Sequence, residues 1–326
     1  MPAVHPHYRH TTVAADEFAL CIEDRLARYS FPDNHPFGSK RLFAFREKLQ
    51  TTVPETDYAR MNCVDTAEAY LPLFHQPQYL DWVRQKSIQG VGFLDAADTP
   101  AFPGVYEAAS RVVGTVVNSA NQILDGHIKR AFIPIGGLHH ARRGAASGFC
   151  VFNDCGVAIE HLRANHGIRR IAYIDIDAHH GDGVFYEFEH DPDLLIVDFH
   201  EDGHFLYPGT GHADETGKGA AIGTKMNIPL PMNADDEEFM ELWPVAERFI
   251  DDFKPEFILL QVGADSMAGD PVTDMAWSTT PYAHTTERLR QLAETHCQGR
   301  MLVMGGGGYN LDNVANAWTE VVKRLL

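Results

Sequence analysis

Asp175-Ile176-Asp177-Ala178-His179-His180-Gly181-Asp182 packs three carboxylates and two imidazoles into eight residues, directly after the apolar run Ile171-Ala172-Tyr173-Ile174. The run reads as a buried strand, and a strand that ends in so many donors reads as one wall of a metal site. Residues i and i+2 of extended backbone point to the same side. Asp177 and His179 are therefore predicted to grip one ion together. A solvated acidic turn is the competing reading, and the other strand ends weigh against it.

Catalysis on zinc needs three protein ligands and an open position. Asp177, His179 and Asp265 are the candidate ligands. Asp265 follows the apolar run Phe257-Ile258-Leu259-Leu260-Gln261-Val262, where a lone carboxylate needs an ion or hydrogen bonds; a helix N-cap is its alternative role. Two carboxylates and one imidazole form a harder set than is usual for zinc, so ferrous iron competes. The tandem His139-His140 offers two imidazoles that each need a partner to set tautomer and charge. Asp175 and Asp182 flank the ligand pair and are the natural partners. The combination suits metal-assisted hydrolysis with a histidine moving the proton. Tyr309 follows four consecutive glycines. A phenol there can donate to an oxyanion, although a packed core tyrosine fits equally well. The loop lacks the Gly-Lys-Ser/Thr of a phosphate loop, which argues against nucleotide binding.

The elements that must position these groups alternate. Short apolar runs at Ala131–Ile135, Ile171–Asp177, Leu194–Asp198, Phe257–Val262 and Met301–Met304 read as strands. Asp154–Asn165, Glu237–Phe253, Thr285–Gln298 and Leu311–Leu326 read as helices. Residues 104–126 read as a long helix with Val112, Val116, Ala120 and Ile123 on its apolar stripe. The first 60 residues look irregular: a helical pattern around Asp16–Tyr29 is broken by Pro32, Pro36 and Gly38, and a helix follows at Lys40–Gln50. This alternation predicts an α/β fold, a single domain over residues 1–326. Its central, mostly parallel sheet carries helices on both faces. Ligand sites in such sheets lie beyond the carboxyl ends of the strands, so the five loaded strand ends are expected to converge.

With 45 acidic against 27 basic residues the formal charge is −18. That argues against a nucleic-acid binder, which needs a basic footprint; it would attract cationic substrates, and acidity that serves solubility alone fits equally well. The five cysteines, Cys21, Cys63, Cys150, Cys155 and Cys297, form no C-x-x-C and suit free thiols in a reducing cytosol. No run of about 18 apolar residues predicts a membrane span, and no signal peptide is visible. The expected location is cytoplasmic. His5, His7 and His10 read as a polar entry segment rather than a metal-binding tail. The Met1–His10 and Gly90–Pro103 segments are candidates for the rim or for the subunit contact of a homo-oligomer.

Six motifs in order carry a family resemblance: Gly136-Gly137-Leu138-His139-His140, Gly148-Phe149-Cys150-Val151-Phe152-Asn153-Asp154, Asp175 through Gly183, Tyr207-Pro208-Gly209-Thr210-Gly211, Gly263-Ala264-Asp265 and Gly305-Gly306-Gly307-Gly308-Tyr309. Over roughly residues 20–326 the chain resembles the zinc-dependent histone deacetylase family, of the arginase–deacetylase fold. Asp98-Thr99-Pro100-Ala101-Phe102-Pro103-Gly104 is similar to bacterial acetoin-utilization-type deacetylases. The resemblance implies Asp177, His179 and Asp265 as metal ligands and His140, paired with Asp182, as general base and acid. It implies His139, paired with Asp175, as electrostatic partner and Tyr309 as the carbonyl-polarising phenol. Gly148, Phe149 and Tyr207 match the acyl-lysine channel, Tyr207 standing where many relatives have Phe. Val272 stands where relatives carry Met or Leu. Asp98 matches a rim carboxylate, and Arg41 an arginine of the cavity where acetate leaves. A structural potassium site is implied at Asp175, Asp177, His179, Asp198 and Phe199. A second one is implied at carbonyls near Phe188, Asp191 and Leu194.

The resemblance thus implies a deacetylase acting on acetylated lysine in proteins or peptides. An acetylpolyamine or other small-amine deacetylase is the alternative, although polyamine-specific relatives carry Tyr-His-His where this chain has Ala178-His179-His180. An arginase-like two-manganese site lacks its middle carboxylate, since Asp265 is followed by Ser266-Met267-Ala268-Gly269-Asp270. A non-catalytic acyl-lysine binder is the reading from outside enzymes.

Overall fold

A computed structural model describes residues 17–96 and 98–326. His5, His7 and His10 lie outside the described residues. Among the described residues the strands are β1 (Phe18–Leu20), β2 (Ala59–Arg60), β3 (Arg130–Ile133), β4 (Ile171–Asp175), β5 (Leu194–Glu201), β6 (Lys225–Leu230), β7 (Phe257–Gln261) and β8 (Met301–Met304). The helices are α1 (Lys40–Thr52), α2 (Pro77–Gln89), α3 (Val105–Leu124), α4 (Asp154–His166), α5 (Asp182–Phe185), α6 (Asp236–Phe253), α7 (Thr280–His296) and α8 (Leu311–Leu325).

The strands form one sheet in the order β2-β1-β3-β8-β7-β4-β5-β6, and every pairing is parallel. β3, β4, β5, β7 and β8 are buried along their whole length. Their unbroken apolar runs follow from having both faces covered. Helices α1, α8, α7 and α6 pack in succession as one layer, and α2, α3, α4 and α5 as another. Phe45 of α1 and Trp318 of α8 meet edge to face at 5.6 Å, and both pack on Phe132 of β3.

The five strands with chemically loaded ends are neighbours: β3, β8, β7, β4 and β5 stand side by side. Parallel pairing puts all their carboxyl ends on one edge. The register sets Asp175 of β4 directly beside Asp198 of β5 and Gln261 of β7.

Three local expectations are corrected. Where a helical pattern is expected around Asp16–Tyr29, the described residues from 17 onward form β1, hydrogen-bonded in parallel to β3, with only a short 3-10 turn at Leu26–Arg28. Phe18, Ala19, Leu20, Cys21 and Ile22 are all buried, and burying that run inside the sheet outweighs local helix propensity. The strand at Ile171–Asp177 stops at Asp175, so Asp177 and His179 stand on a bend rather than on extended backbone. α7 begins at Thr280 instead of Thr285, with Pro281 in its first turn, where proline's missing N–H costs nothing. β2, β6 and α2 were not anticipated. In β6, Lys225 and Pro229 interrupt the apolar pattern, and Pro229 is tolerated because β6 is an edge strand. The five cysteines are free and buried, and no described helix is long and apolar enough to cross a membrane.

Candidate active site

Asp177, His179 and Asp265 come together from two loops, after β4 and after β7. Their donor atoms lie within 4.8 Å of one another, and all three residues are buried. His179 Nδ1 is 3.0 Å from Asp177 Oδ1 and 3.3 Å from Asp265 Oδ2. Asp265 sits in a 3-10 turn, Ala264–Ser266, rather than capping a longer helix. Its Oδ1 accepts from Ala178 N at 3.1 Å, while Oδ2 is buried with no hydrogen-bond partner. Burial and the neighbouring Asp177 charge push the Asp265 carboxyl up to about 7. An orphaned carboxylate oxygen facing an imidazole and a second carboxylate is the donor set a divalent cation would satisfy. Glycines leave the room for it: a Cβ at Gly263 would collide with the Asp177 carboxylate, and one at Gly307 with that of Asp265. The residues present therefore fit a zinc or ferrous ion.

His139 and His140 line a cavity of about 20 Å³ together with Phe37, Asp177, His179 and Tyr309. His139 Nδ1 donates to Asp175 Oδ2 at 2.7 Å, His140 Nδ1 to Asp182 Oδ1 at 2.8 Å, and the two Nε2 atoms are 3.1 Å apart. Burial opposes charge on both rings. For His139 the carboxylates of Asp175 and Asp177 overcome it and raise the ring to about 10. For His140, burial and the charged His139 win over Asp182 and hold the ring at about 4. The two rings are thus pushed in opposite directions, His139 toward the cation and His140 toward the neutral base, and both line the cavity.

The loop that carries this pair is anchored on α4. Asp154 accepts from Gly137 N and Leu138 N at 2.8 and 2.7 Å, and Asn153 Nδ2 donates to the His139 and Ala141 carbonyls at 3.2 and 2.8 Å. Gly137 has φ +81°, and a Cβ there would lie 2.8 Å from Gly306 N, so the loops after β3 and β8 touch only because this residue is glycine.

Tyr309 emerges from the loop after β8. Its N–H donates to Asp270 Oδ2 at 2.7 Å, and Asn310 N donates to the same oxygen at 3.2 Å. Asp270 therefore aims the tyrosine, and Val272 N binds its other oxygen. Burial and the carboxylate of Asp265 push the Tyr309 phenol well above 10, so it remains a proton donor at neutral pH. Its ring meets Phe149 edge to face at 5.7 Å. Phe149 also meets His35 at 4.5 Å, and its N–H donates to Thr99 Oγ1 at 3.0 Å. On the opposite side, Tyr207 stands 5.1 Å from the His140 ring and hydrogen-bonds Ser147. The neighbouring Gly148 lines the cavity.

Other expected residues lie further out. Asp98 is exposed at the rim, next to Thr99, and its carbonyl accepts from His35 Nε2 at 3.0 Å. Val272 does not line the cavity, and neither does Arg41. Arg41 is fully buried and clasps the carbonyls of Gly306, Gly307 and Gly308 at 2.5, 2.8 and 2.7 Å, with Nη1 unpaired. Asp198 Oδ1 accepts from His200 Nδ1 at 2.7 Å and Oδ2 from Gly181 N at 2.9 Å. The Asp175 and Asp198 carboxylates both lie near Gly181. Phe199 is buried beside them in β5.

The profile described as "Histone deacetylase domain" matches residues 35–325. The chain belongs to the histone deacetylase family. It is 35% identical over 305 residues to the acetoin utilization protein AcuC of Bacillus subtilis (strain 168), covering 90% of this chain and 78% of that one. It is 33% identical over 313 residues to AcuC of Staphylococcus xylosus, with 93% and 81% covered. A crystal structure of the HDA15 HD domain superposes with a TM-score of 0.87 at 28% identity, covering 96% of this chain and 88% of that one.

Several residues of this deacetylase-family site were not singled out from sequence. Gln261 Nε2 donates to Asp177 Oδ2 at 2.8 Å, and Tyr173 Oη to Asp175 Oδ2 at 2.6 Å. Arg142 binds Asp182 Oδ2 at 2.8 Å. Gln261 and Tyr173 are polar residues within apolar strands, the one signal that could have revealed them. A further grouping, Asp202, His204 and His212, is partly exposed on the loop that also carries Tyr207.

Proposed function

We propose that this chain is a metal-dependent amidohydrolase that removes acetyl, or a related acyl group, from lysine side chains of proteins or peptides. One observation carries the reading. Two histidines of opposite charge preference, each held by its own aspartate, share one cavity with Asp177, His179 and Tyr309. Asp177, His179 and Asp265 would hold the ion, zinc or ferrous iron. When bound it supplies a Lewis acid that lowers the pKa of water and polarises a carbonyl.

The chain's own groups supply the rest. Neutral His140 takes a proton at Nε2 from the attacking water and returns it to the leaving amine, with Asp182 orienting its ring. His139, kept cationic by Asp175, adds fixed positive charge beside the developing negative charge. Tyr309 donates its phenol proton as a hydrogen bond to the carbonyl oxygen as it becomes an oxyanion. Phe149 and Tyr207 flank the approach as apolar walls for a lysine stem. The Asp175–Asp198 carboxylate pair would take a structural potassium ion.

A small acetylated amine is the second reading, with which the charge of −18 is compatible. The deciding assay uses metal-depleted protein, one equivalent of zinc, a fluorogenic acetyl-lysine peptide and a hydroxamate control. Zinc-dependent, hydroxamate-sensitive release supports the lysine reading. Release only from acetylated polyamines supports the second, and no release from either refutes both.

A further inference from the structure

The second potassium site implied by the family resemblance does not fit the residues present. Two of its three carbonyls already hold an ammonium. Lys225 Nζ donates to Asp191 O at 2.8 Å and to Leu194 O, and it lies 3.0 Å from Thr224 Oγ1. The third expected carbonyl, Phe188 O, accepts from Asp191 N at 3.0 Å. Lys225 is only 2% exposed, so the ammonium stays in this oxygen nest rather than reaching water.

The Asp191 carboxylate itself is turned to an ion pair with Arg163. Carbonyl and hydroxyl dipoles therefore hold the Lys225 charge, as oxygen ligands hold a bound cation. Burial lowers the ammonium to about 8 and Asp191 opposes the fall, so the group is a cation at neutral pH.

We infer that the Lys225 ammonium is a built-in substitute for a monovalent ion at this site. Lys225 opens β6, and Asp191 and Leu194 form the turn into β5. The covalent cation thus ties the sheet edge to the segment that runs from Asp182, the partner of His140, through Phe188 to β5. The inference is independent of the proposed reaction.

Two variants and one direct measurement test it. Lys225→Ala leaves the oxygens facing an empty space, whereas Lys225→Met fills the space without charge. Thermal unfolding is compared in potassium and in tetramethylammonium chloride at equal ionic strength. In tetramethylammonium both variants are expected to melt several degrees below the native protein. In potassium, Lys225→Ala recovers part of that loss beyond any response of the native protein, and Lys225→Met does not. A potassium response of Lys225→Ala equal to that of the native protein overturns the inference. Should the variants fail to fold, crystals of the native protein soaked in rubidium chloride decide. Anomalous density beside the Asp191 and Leu194 carbonyls overturns the inference, and its absence there, with Nζ in place, supports it.

Discussion

Gln261 and Asp177 meet at 2.8 Å, the amide of the last residue of β7 donating to the carboxylate Oδ2 on the loop after β4. The other end of the same amide accepts from Gly263 N at 2.7 Å, two residues before Asp265. One neutral side chain thereby fixes both carboxylate-bearing loops. Supporting hydrogen bonds of this kind orient metal ligands. Gln261→Leu is expected to weaken zinc binding by about 10- to 100-fold, read by competition with a chromophoric chelator. Unchanged affinity would mean that the loops hold themselves.

Tyr309→Phe removes only the phenolic oxygen. Zinc content should stay at the native value while kcat falls by about 10²- to 10³-fold, the usual loss for one oxyanion donor. Turnover at the native rate would take the phenol out of the mechanism.

His140→Ala is expected to lower kcat by about 10²- to 10⁴-fold, as removal of a general base does. Asp182→Asn keeps the ring but loses the carboxylate at 2.8 Å, so a smaller loss in kcat is expected. If Asp182→Asn matches the histidine deletion, the carboxylate does more than orient the ring.

Gly137→Ala should destabilise the fold by about 1–3 kcal/mol, the scale of strained backbone at one residue. The reason is its φ of +81° and the close approach to Gly306. Urea denaturation reads the change, and a midpoint equal to the native one would show that the two loops can part.

Acid should loosen the fold through two buried neutral histidines. His75 Nε2 accepts from Asn153 N at 3.0 Å, and burial holds the ring at about 3. His161 is held at about 4 by burial and by the nearby His166. Both folded values lie below 6.5, so the unfolded chain binds more protons in between. Their stabilisation is complete above pH 6.5 and is lost as pH falls toward 4 and 3. Each contributes a slope of up to about 1.4 kcal/mol per pH unit within its window. His75→Gln should flatten the fall in urea midpoint between pH 6.5 and 4; an unchanged slope would assign it to other groups.

Much of the site was legible because it lies where periodicity is plain. The runs that became β3, β4, β5, β7 and β8 are apolar throughout, and the residues just beyond them are the ones with chemistry. β1 looks helical in sequence because five buried apolar residues in a row carry no period that separates strand from helix. β6 has no clear strand signature because Lys225 and Pro229 interrupt the apolar run of an edge strand. Gln261, Tyr173 and Asp270 were hidden for another reason: a polar residue's partner lies on a different segment, and spacing along the chain cannot name it.

The order of amino acids by itself determined the alternating α/β plan, the family, and which strand ends carry carboxylates, imidazoles and a phenol. These follow from local hydrophobic pattern and contiguous motifs, which survive without knowledge of neighbours. Only the tertiary structure decided which donors meet, which aspartate holds each histidine of the pair, that Asp270 aims Tyr309, and that Lys225 occupies the nest of Asp191 and Leu194. Those outcomes depend on distances and desolvation between segments far apart in sequence, and such distances exist only once the sheet has brought its strands side by side.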